Sequence, residues 1–474
     1  MFLFPESATT ILCEDGVQLP YADLLRRAQT LETAVEGRSL VLCVLENTLG
    51  GLLGYVTFVY GEHVPLIVNP ETAADRVAAI MARYRPEYCW IPEEARAQFD
   101  GMRVVLRDAG YCLLQTSYGA GTPLAAELCL LASTSGSTGS PTFVRQSRAN
   151  VLANTRSIVE YLGLTEMERA LTSLPIHYTF GMSIVNTQIA AGGDIVLSDK
   201  SFTQREFWTL LAEHQVSVLS GVPYTYEMLD RLRVFRKDLP HVRMLLQAGG
   251  KLGEALQARV AAYAAKYDKR LFIMYGQTEA TTRMAYLPWS RCEEKIGSIG
   301  VPIPGGRIEL VAEDGTTITT PGEVGEMLYF GPNVCLGYAS DREALAEGDT
   351  WGGRLVTGDL AYRDGEGFLF IKGRKKRIVK HYGMRVNLDE VEGLLKGLFP
   401  EVAVACVDVD DALIICTDDA LAPDELTTRL TGATQIKRGG FRHEVVEAIP
   451  VLPNGKTDYQ RLKREVLAND SDEP

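Results

Sequence analysis

The chain has 474 residues, 46% of them hydrophobic and 23% charged, a length beyond what one hydrophobic core serves, so two or more domains are expected. Its 48 basic residues against 61 acidic ones leave a net charge of −13, which argues against a general binder of nucleic acid or of anionic membranes. No apolar run reaches the roughly 18 residues of a membrane span, and the start, with Glu6 and no basic stretch, does not read as a secretory signal. The nine cysteines are scattered and never form CxxC, which fits reduced core thiols in a cytoplasmic protein better than a disulfide framework or a zinc site.

In chain order, Tyr21 to Leu31 carries apolar residues at helical spacing, and Ser39 to Leu45 is a short apolar run suited to a buried strand. Thr72 to Tyr84 reads as helix and Tyr88 to Ile91 as strand. Asp194 to Leu197, Gln204 to His214 and Val216 to Leu219 repeat the strand, helix, strand pattern. Helices interleaved with buried strands predict an α/β fold of layered, largely parallel sheets. After about Gly305 the texture changes. Gly and Asp turns punctuate the short alternating segments Arg307 to Val311, Gly325 to Phe330, Leu360 to Arg363 and Phe368 to Ile371, so this region reads as β-rich. The basic cluster Lys372 to Arg377 then precedes a tail with its own helix and strand signals. The main boundary is placed there, giving a large domain over 1–373 and a small α+β domain over 374–474.

Three groups of residues carry chemistry. The loop Thr134-Ser135-Gly136-Ser137-Thr138-Gly139, followed by Ser140-Pro141, offers backbone N–H groups and hydroxyls of the kind that grip a polyphosphate. It lacks the lysine and spacing of a Walker loop, and its composition suits a surface linker equally well. Tyr275-Gly276-Gln277-Thr278-Glu279 follows the apolar run Leu271 to Met274, so a strand delivers it to the carboxyl edge, where open α/β sheets bind ligands. An aromatic for a base, a hydroxyl for a phosphate and a carboxylate for Mg²⁺ lie within those five residues. Downstream, Asp359 could take ribose hydroxyls, Arg374 follows in the β-rich region, and Lys456 sits on a Pro453-Asn454-Gly455 turn. Singly, each of these last three is more often a plain turn or a solvated charge.

Together, TSGSTGSP, YGQTE, TGD, GRKKRIVKHYGMRV and PNGKTD stand in the order and spacing of the adenylate-forming superfamily, which holds acyl-CoA synthetases, nonribosomal-peptide adenylation domains and luciferase. The resemblance spans about Tyr21 to Lys463. It implies a mobile C-terminal domain and an enzyme that uses ATP and Mg²⁺ to turn a carboxylic acid into an acyl-adenylate, then passes the acyl group to a thiol. By the same resemblance, Thr134 to Gly139 would hold the β- and γ-phosphates, and Tyr275 would stack on adenine beside Gly249, Gly250 and Gly276. Thr278 would meet the α-phosphate, Glu279 the magnesium, and Asp359 the ribose with Arg374 close by. Lys376 would be the hinge, and Lys456 would bridge the substrate carboxylate and the α-phosphate.

The sequence departs from the family pattern in two places. The phosphate loop usually ends in Pro-Lys, whereas Pro141 is followed by Thr142, and the nearest cation is Arg145. Amino-acid-activating relatives have Phe-Asp-x-Ser where this chain has Phe180-Gly181-Met182-Ser183, so an α-ammonium would lack its counter-charge. An aryl or short acyl acid is therefore expected, in a pocket that includes His177, Tyr178, Phe180, Gly181, Met274 and Thr281. His177 could equally be a packed core histidine. Gly192-Gly193-Asp194 lacks the serine of a carrier attachment site, so the acceptor, CoA or the phosphopantetheine of a carrier protein, lies elsewhere. The alternatives are a ligase in which an amine captures the adenylate, and a non-catalytic nucleotide binder. Retention of Glu279, Asp359 and Lys456 argues against the last.

Overall fold

The computed structural model describes residues 4, 6–119, 121–133, 142–381, 384–409, 412–433, 441–452 and 456–471. The chain divides into two compact units, Met1–Ile308 with Tyr329–Leu355, and Glu309–Leu328 with Val356–Pro474. The β-rich segment after Gly305 thus groups largely with the tail. Among the described residues no helix is long and apolar enough to cross a membrane.

The first unit holds two large sheets. One has eight strands with Leu40–Val44 and Val64–Val68 at its centre, both buried along their whole length as strands covered on two faces must be. Helix Tyr21–Thr33 buries Tyr21, Leu24, Ala28 and Leu31, the stripe its spacing predicts. Helix Leu49–Tyr60 is buried on nearly every side and so shows no amphipathic period; Thr48 caps it by accepting from the Gly51 N–H. These two helices and part of Thr179–Ala191 form one core with residues of both sheets, among them Cys43, Trp90 and Ile195.

The second sheet has nine strands and positions the site. Strands Arg169–Leu171, Val218–Gly221, Met244–Gln247 and Arg270–Tyr275 are parallel neighbours, so their carboxyl ends share one edge. The parallel run stops there. Strand Ala285–Leu287 pairs antiparallel with Arg270–Tyr275, matching Tyr275 to Ala285. A crossover helix is then unnecessary, and the chain turns back within residues 276–284.

A four-stranded sheet, most of whose residues fall in the second unit, is formed from Arg307–Val311, Gly325–Phe330, Arg354–Arg363 and Leu369–Arg374. Beyond it, strands Val404–Val409, Ala412–Thr417 and Arg442–Val445 make a three-stranded sheet whose period-2 alternation serves two cores. Val404, Cys406, Leu413 and Ile415 face one with Leu395, Leu426 and Leu430; Ala405, Val407, Ile414 and Cys416 face the other with Leu462 and Val466. Arg377 anchors the start of this region. Its guanidinium pairs with Asp389 and Glu392, donates to the Cys406 carbonyl at 3.2 Å and lies 3.8 Å from the Tyr459 ring centre.

Removing Glu392 takes away one of the two carboxylates of Arg377 and leaves the Cys406 N–H and the Tyr459 hydroxyl without their acceptor. Glu392→Ala is expected to lower the stability of the second unit by about 3–5 kcal/mol. Removing exposed Glu425, paired with Arg429 one helical turn away, should change it by less than about 1 kcal/mol. Calorimetry of the full chain would show the contrast as a lowered Tm for the first variant alone.

Candidate active site

The turn after Arg270–Tyr275 is held by an unusually tight backbone. A Cβ on Gly276 would stand 1.7 Å from the Thr282 carbonyl oxygen, so only glycine fits. Thr281 has φ +63° and ψ −56°, and the Thr282 N–H donates to the Ala280 carbonyl at 2.6 Å, closing a γ-turn around a β-branched residue. Such a conformation costs about 1–3 kcal/mol and persists only where its surroundings over-determine it. They do. The Thr281 hydroxyl donates to the Asn333 carbonyl at 2.8 Å, and Asn333 Nδ2 donates to the Ala280 and Arg283 carbonyls at 2.9 Å each. Asn154 Nδ2 donates to the Arg283 carbonyl at 3.0 Å, Gln146 Nε2 to the Thr278 carbonyl at 3.3 Å, and the Cys335 N–H to the Glu279 carbonyl at 3.0 Å.

This arrangement sorts the residues by side. Tyr275, Gly276, Thr278 and Glu279 are partly exposed at the sheet edge. Gln277 Nε2 donates to the Tyr275 hydroxyl at 3.3 Å, and the Tyr338 hydroxyl donates to Glu279 Oε1 at 2.7 Å. Met274 and Arg283 are buried instead, with Phe180 and Tyr178 near them. Gly249, with φ +89°, brings its backbone against the Tyr178 hydroxyl, 2.9 Å from where a Cβ would stand. Gly250 follows on the same edge.

Of the residues expected to line an acid pocket, Phe180 and Gly181 lie in the first turn of helix Thr179–Ala191 and Met274 near the end of strand Arg270–Tyr275. Gly181 is a steric requirement, because a Cβ there would stand 2.0 Å from the Pro175 carbonyl oxygen. No aspartate fits on this backbone. Burial pushes the His177 imidazole below its ordinary range, and Nδ1–H donates to the Leu45 carbonyl at 3.1 Å, making Nε2 the unprotonated nitrogen. Thr281 is buried with its hydroxyl used by the turn. Phe180 and Met274 both belong to the core that includes Val222, Leu246 and Ala248.

Arg283 is only 3% exposed. Its guanidinium lies 4.1 Å over the Phe180 ring centre, Nε donates to Met274 Sδ at 3.4 Å, and the Tyr161 hydroxyl lies beside it. Among the described residues no carboxylate pairs with it. Two other buried arginines among the described residues differ: Arg342 forms a bidentate pair with Glu87 at 2.7 and 3.2 Å, and Arg145 is saturated by carbonyls. A buried cation without a counter-charge costs several kcal/mol, so its presence here needs a reason.

Thr134 to Gly139 lie outside the described residues. The strands that flank them, Leu128–Ser133 and Phe143–Ser147, are antiparallel partners with Ser133 opposite Phe143, so the segment joins adjacent strands of a hairpin. Arg145 does not take the place of the usual loop lysine. It is 1% exposed, and its nitrogens donate to the carbonyls of Tyr338, Gly348 and Leu336 at 3.1 Å each and to that of Glu347. It ties down the segment 336–350. Among the described residues no cluster of three or more His, Cys, Asp or Glu could hold a metal ion. A lone Glu279 carboxylate nevertheless suits Mg²⁺, which takes one or two protein carboxylates and draws its remaining ligands from phosphates and water.

In the second unit, Asp359 is 3% exposed and lies opposite Arg374 in register, with Arg374 Nε 3.3 Å from Asp359 Oδ1. Lys375 reaches Glu326 at 2.8 Å, while the next lysine, Lys376, is exposed between this anchor and that of Arg377. Residues 453–455 lie outside the described residues, but both flanks of that turn are pinned. The Leu452 N–H donates to the Lys456 carbonyl at 2.7 Å and the Asp458 N–H to the Pro450 carbonyl at 2.8 Å, with Val451 bridged to Thr457.

Asn154, Gln146, Asn333, Tyr338 and Arg283 carry no sequence signal that singles them out. Their neighbours in sequence give no hint of their partners, and only the fold brings them to the turn.

Comparison with known proteins gives one consistent picture. Residues 5–339 match the model of a family described as AMP-binding enzyme. The chain is 30% identical over 348 residues to a 2-succinylbenzoate–CoA ligase of Bacillus pumilus, covering 71% of this chain and 69% of the relative. It is 25% identical to the pyochelin synthase PchD of Pseudomonas aeruginosa, covering 96% of this chain and 90% of that one. Its fold matches the Bacillus subtilis o-succinylbenzoate CoA synthetase MenE, solved with an acyl-adenylate intermediate, at a TM-score of 0.78 and 21% identity, covering 96% and 95% of the two chains.

The two readings of Arg145 separate cleanly in experiment. Arg145→Met removes the donors to the Leu336, Tyr338, Glu347 and Gly348 carbonyls and should cost about 1–3 kcal/mol in denaturant unfolding, leaving KM for ATP unaltered in the folded fraction. A raised KM at unaltered stability would place Arg145 on the phosphates.

Proposed function

The chain belongs to the AMP-binding enzyme family, and from that premise we propose that it is an AMP-forming acid–thiol ligase for a carboxylic acid without an α-amino group. The observation that supports this reading is the shared carboxyl edge: strand Arg270–Tyr275, whose Met274 packs in one core with Phe180, delivers the Tyr275–Glu279 turn to the edge it shares with Val218–Gly221 and Met244–Gln247. The acid's carboxylate oxygen attacks the α-phosphorus of ATP, the bond to the β-phosphate bridging oxygen breaks, and pyrophosphate leaves. A thiol sulfur then attacks the acyl carbon and AMP leaves, with the thiol proton released to solvent.

The nucleophile is already ionised at neutral pH, so no general base is required. The difficulty is bringing two anions together, which positioning and cations relieve. Tyr275 supplies a face for adenine, Thr278 a hydroxyl for the α-phosphate, Asp359 the ribose contact, and Lys456 the cation for the carboxylate and α-phosphate. Glu279 with the ATP phosphates would hold Mg²⁺, whose charge offsets that of the triphosphate. Thr134 to Gly139 serve the β- and γ-phosphates in this reading.

Two features support an acid without an α-ammonium. Gly181 has no room for a carboxylate, and the nearby charge is the Arg283 cation, which would repel an ammonium. The acceptor is a pantetheine thiol, on CoA or on a carrier protein. The nine free cysteines, eight of them buried, fit a cytoplasmic setting.

Acid-dependent exchange of labelled pyrophosphate into ATP tests the reaction, and the free acids and amino acids that support it define the substrate class. Lys456→Ala should lower exchange by about 100- to 1000-fold with the fold intact by circular dichroism. Near-normal exchange would remove Lys456 from the first step. Lys376→Pro fixes φ near −65° and removes a backbone N–H between two anchored residues. Acyl-adenylate should still form in a single turnover, while thioester release falls. Equal loss in both half-reactions would contradict a hinge at this position.

A further inference from the structure

Arg283 is the buried cation whose partners do not explain it. A guanidinium carries five N–H donors in a planar fork shaped for a carboxylate. Arg145 meets that demand with backbone carbonyls and Arg342 meets it with Glu87. Arg283 instead has a thioether, which is a weak acceptor, a phenol and an aromatic face. The Tyr161 hydroxyl itself donates to Met274 Sδ at 3.0 Å, so the thioether is shared between two donors.

Its place in the fold decides what could complete the set. Arg283 follows the 276–282 turn, and its backbone is fixed on both sides: Asn154 Oδ1 accepts from its N–H at 3.3 Å, while Asn154 and Asn333 donate to its carbonyl. The side chain is therefore delivered to the Phe180–Met274 wall by a rigid support. That wall belongs to the pocket assigned above to the acyl group. A surface role is excluded by burial, and a structural ion pair is absent among the described residues.

We propose that Arg283 binds a second anionic group on the acid, so that the substrate is a dicarboxylic acid activated at one carboxylate and recognised at the other. This inference rests on the acid-activating reading. The reacting carboxylate stays at the sheet edge with Thr278, while the second lies along the guanidinium fork against Phe180. A neutral tail of the same size leaves the cation unpaired on binding and is rejected, because a site built to pair a buried polar group discriminates strongly against analogues that lack the partner. An amino acid fares worse, since its ammonium meets a like charge.

The test is pyrophosphate exchange with paired acids: straight-chain monoacids against dicarboxylic acids of equal length, and benzoate against phthalate, isophthalate and terephthalate. The wild type should favour the doubly charged member of at least one pair by about 100-fold or more in kcat/KM. Arg283→Met should invert that ratio, and Arg283→Lys, which keeps the charge but loses the fork, should fall between. Should Arg283→Met fail to fold, the wild-type ratio alone decides. Preference of the wild type for the neutral-tailed member throughout, or an unaltered ratio in a folded Arg283→Met, overturns the inference while leaving acid activation standing. Exchange with no acid of either kind overturns both.

Discussion

The 1.7 Å separation between the Thr282 carbonyl oxygen and the place where a Gly276 Cβ would stand is the constraint on which the rest of the site depends. It forces the chain to reverse immediately after Tyr275, which turns a parallel sheet antiparallel at its last large strand. The reversal leaves Tyr275, Thr278 and Glu279 on the open edge and returns Arg283 to the interior next to Met274. In the proposed reading, one short turn therefore supplies residues to both the nucleotide side and the acid side. The strain of the γ-turn at Thr281 is offset by hydrogen bonds from Asn333, Asn154, Gln146 and Cys335, all made to backbone groups that a looser loop would expose.

Charge is used sparingly in this molecule. A chain with a net charge of −13 must bind a triphosphate and a carboxylate, so attraction has to come from individually placed cations, not from a basic field. The buried arginines show how placement separates structural from functional charge. Arg342 and Arg145 are compensated by carboxylates or carbonyls, as is the half-buried Arg377, and all three hold segments together. Arg283 is rigidly presented and uncompensated, which is the signature of a group waiting for a ligand.

Much of this was legible from the residues. The spacing of Tyr21, Leu24, Ala28 and Leu31 gave the first helix, and the apolar runs at 39–45 and 271–274 gave buried strands, because burial on one stripe or on both faces leaves a periodic or continuous trace. Helix Leu49–Tyr60 left no such trace, being buried all round. The motif residues Tyr275, Thr278, Glu279 and Asp359 were visible because their chemistry is local in sequence. Asn333 and Arg283 were not, since a buried polar residue is defined by partners far along the chain. Gly181 was legible as a missing carboxylate, but the reason for it, the Pro175 carbonyl, is a tertiary fact. Arg145 misled for the same reason: proximity to the loop in sequence says nothing of where a guanidinium is spent.

The central claim is that the acid's own carboxylate oxygen attacks the α-phosphorus of ATP. The most direct measurement follows that atom. With an acid labelled by heavy oxygen in both carboxylate positions, one complete turnover with a pantetheine thiol should release AMP carrying one heavy oxygen, and pyrophosphate carrying none. Heavy oxygen in inorganic phosphate, with ADP as the nucleotide product, would mean attack at the γ-phosphorus and would contradict the account.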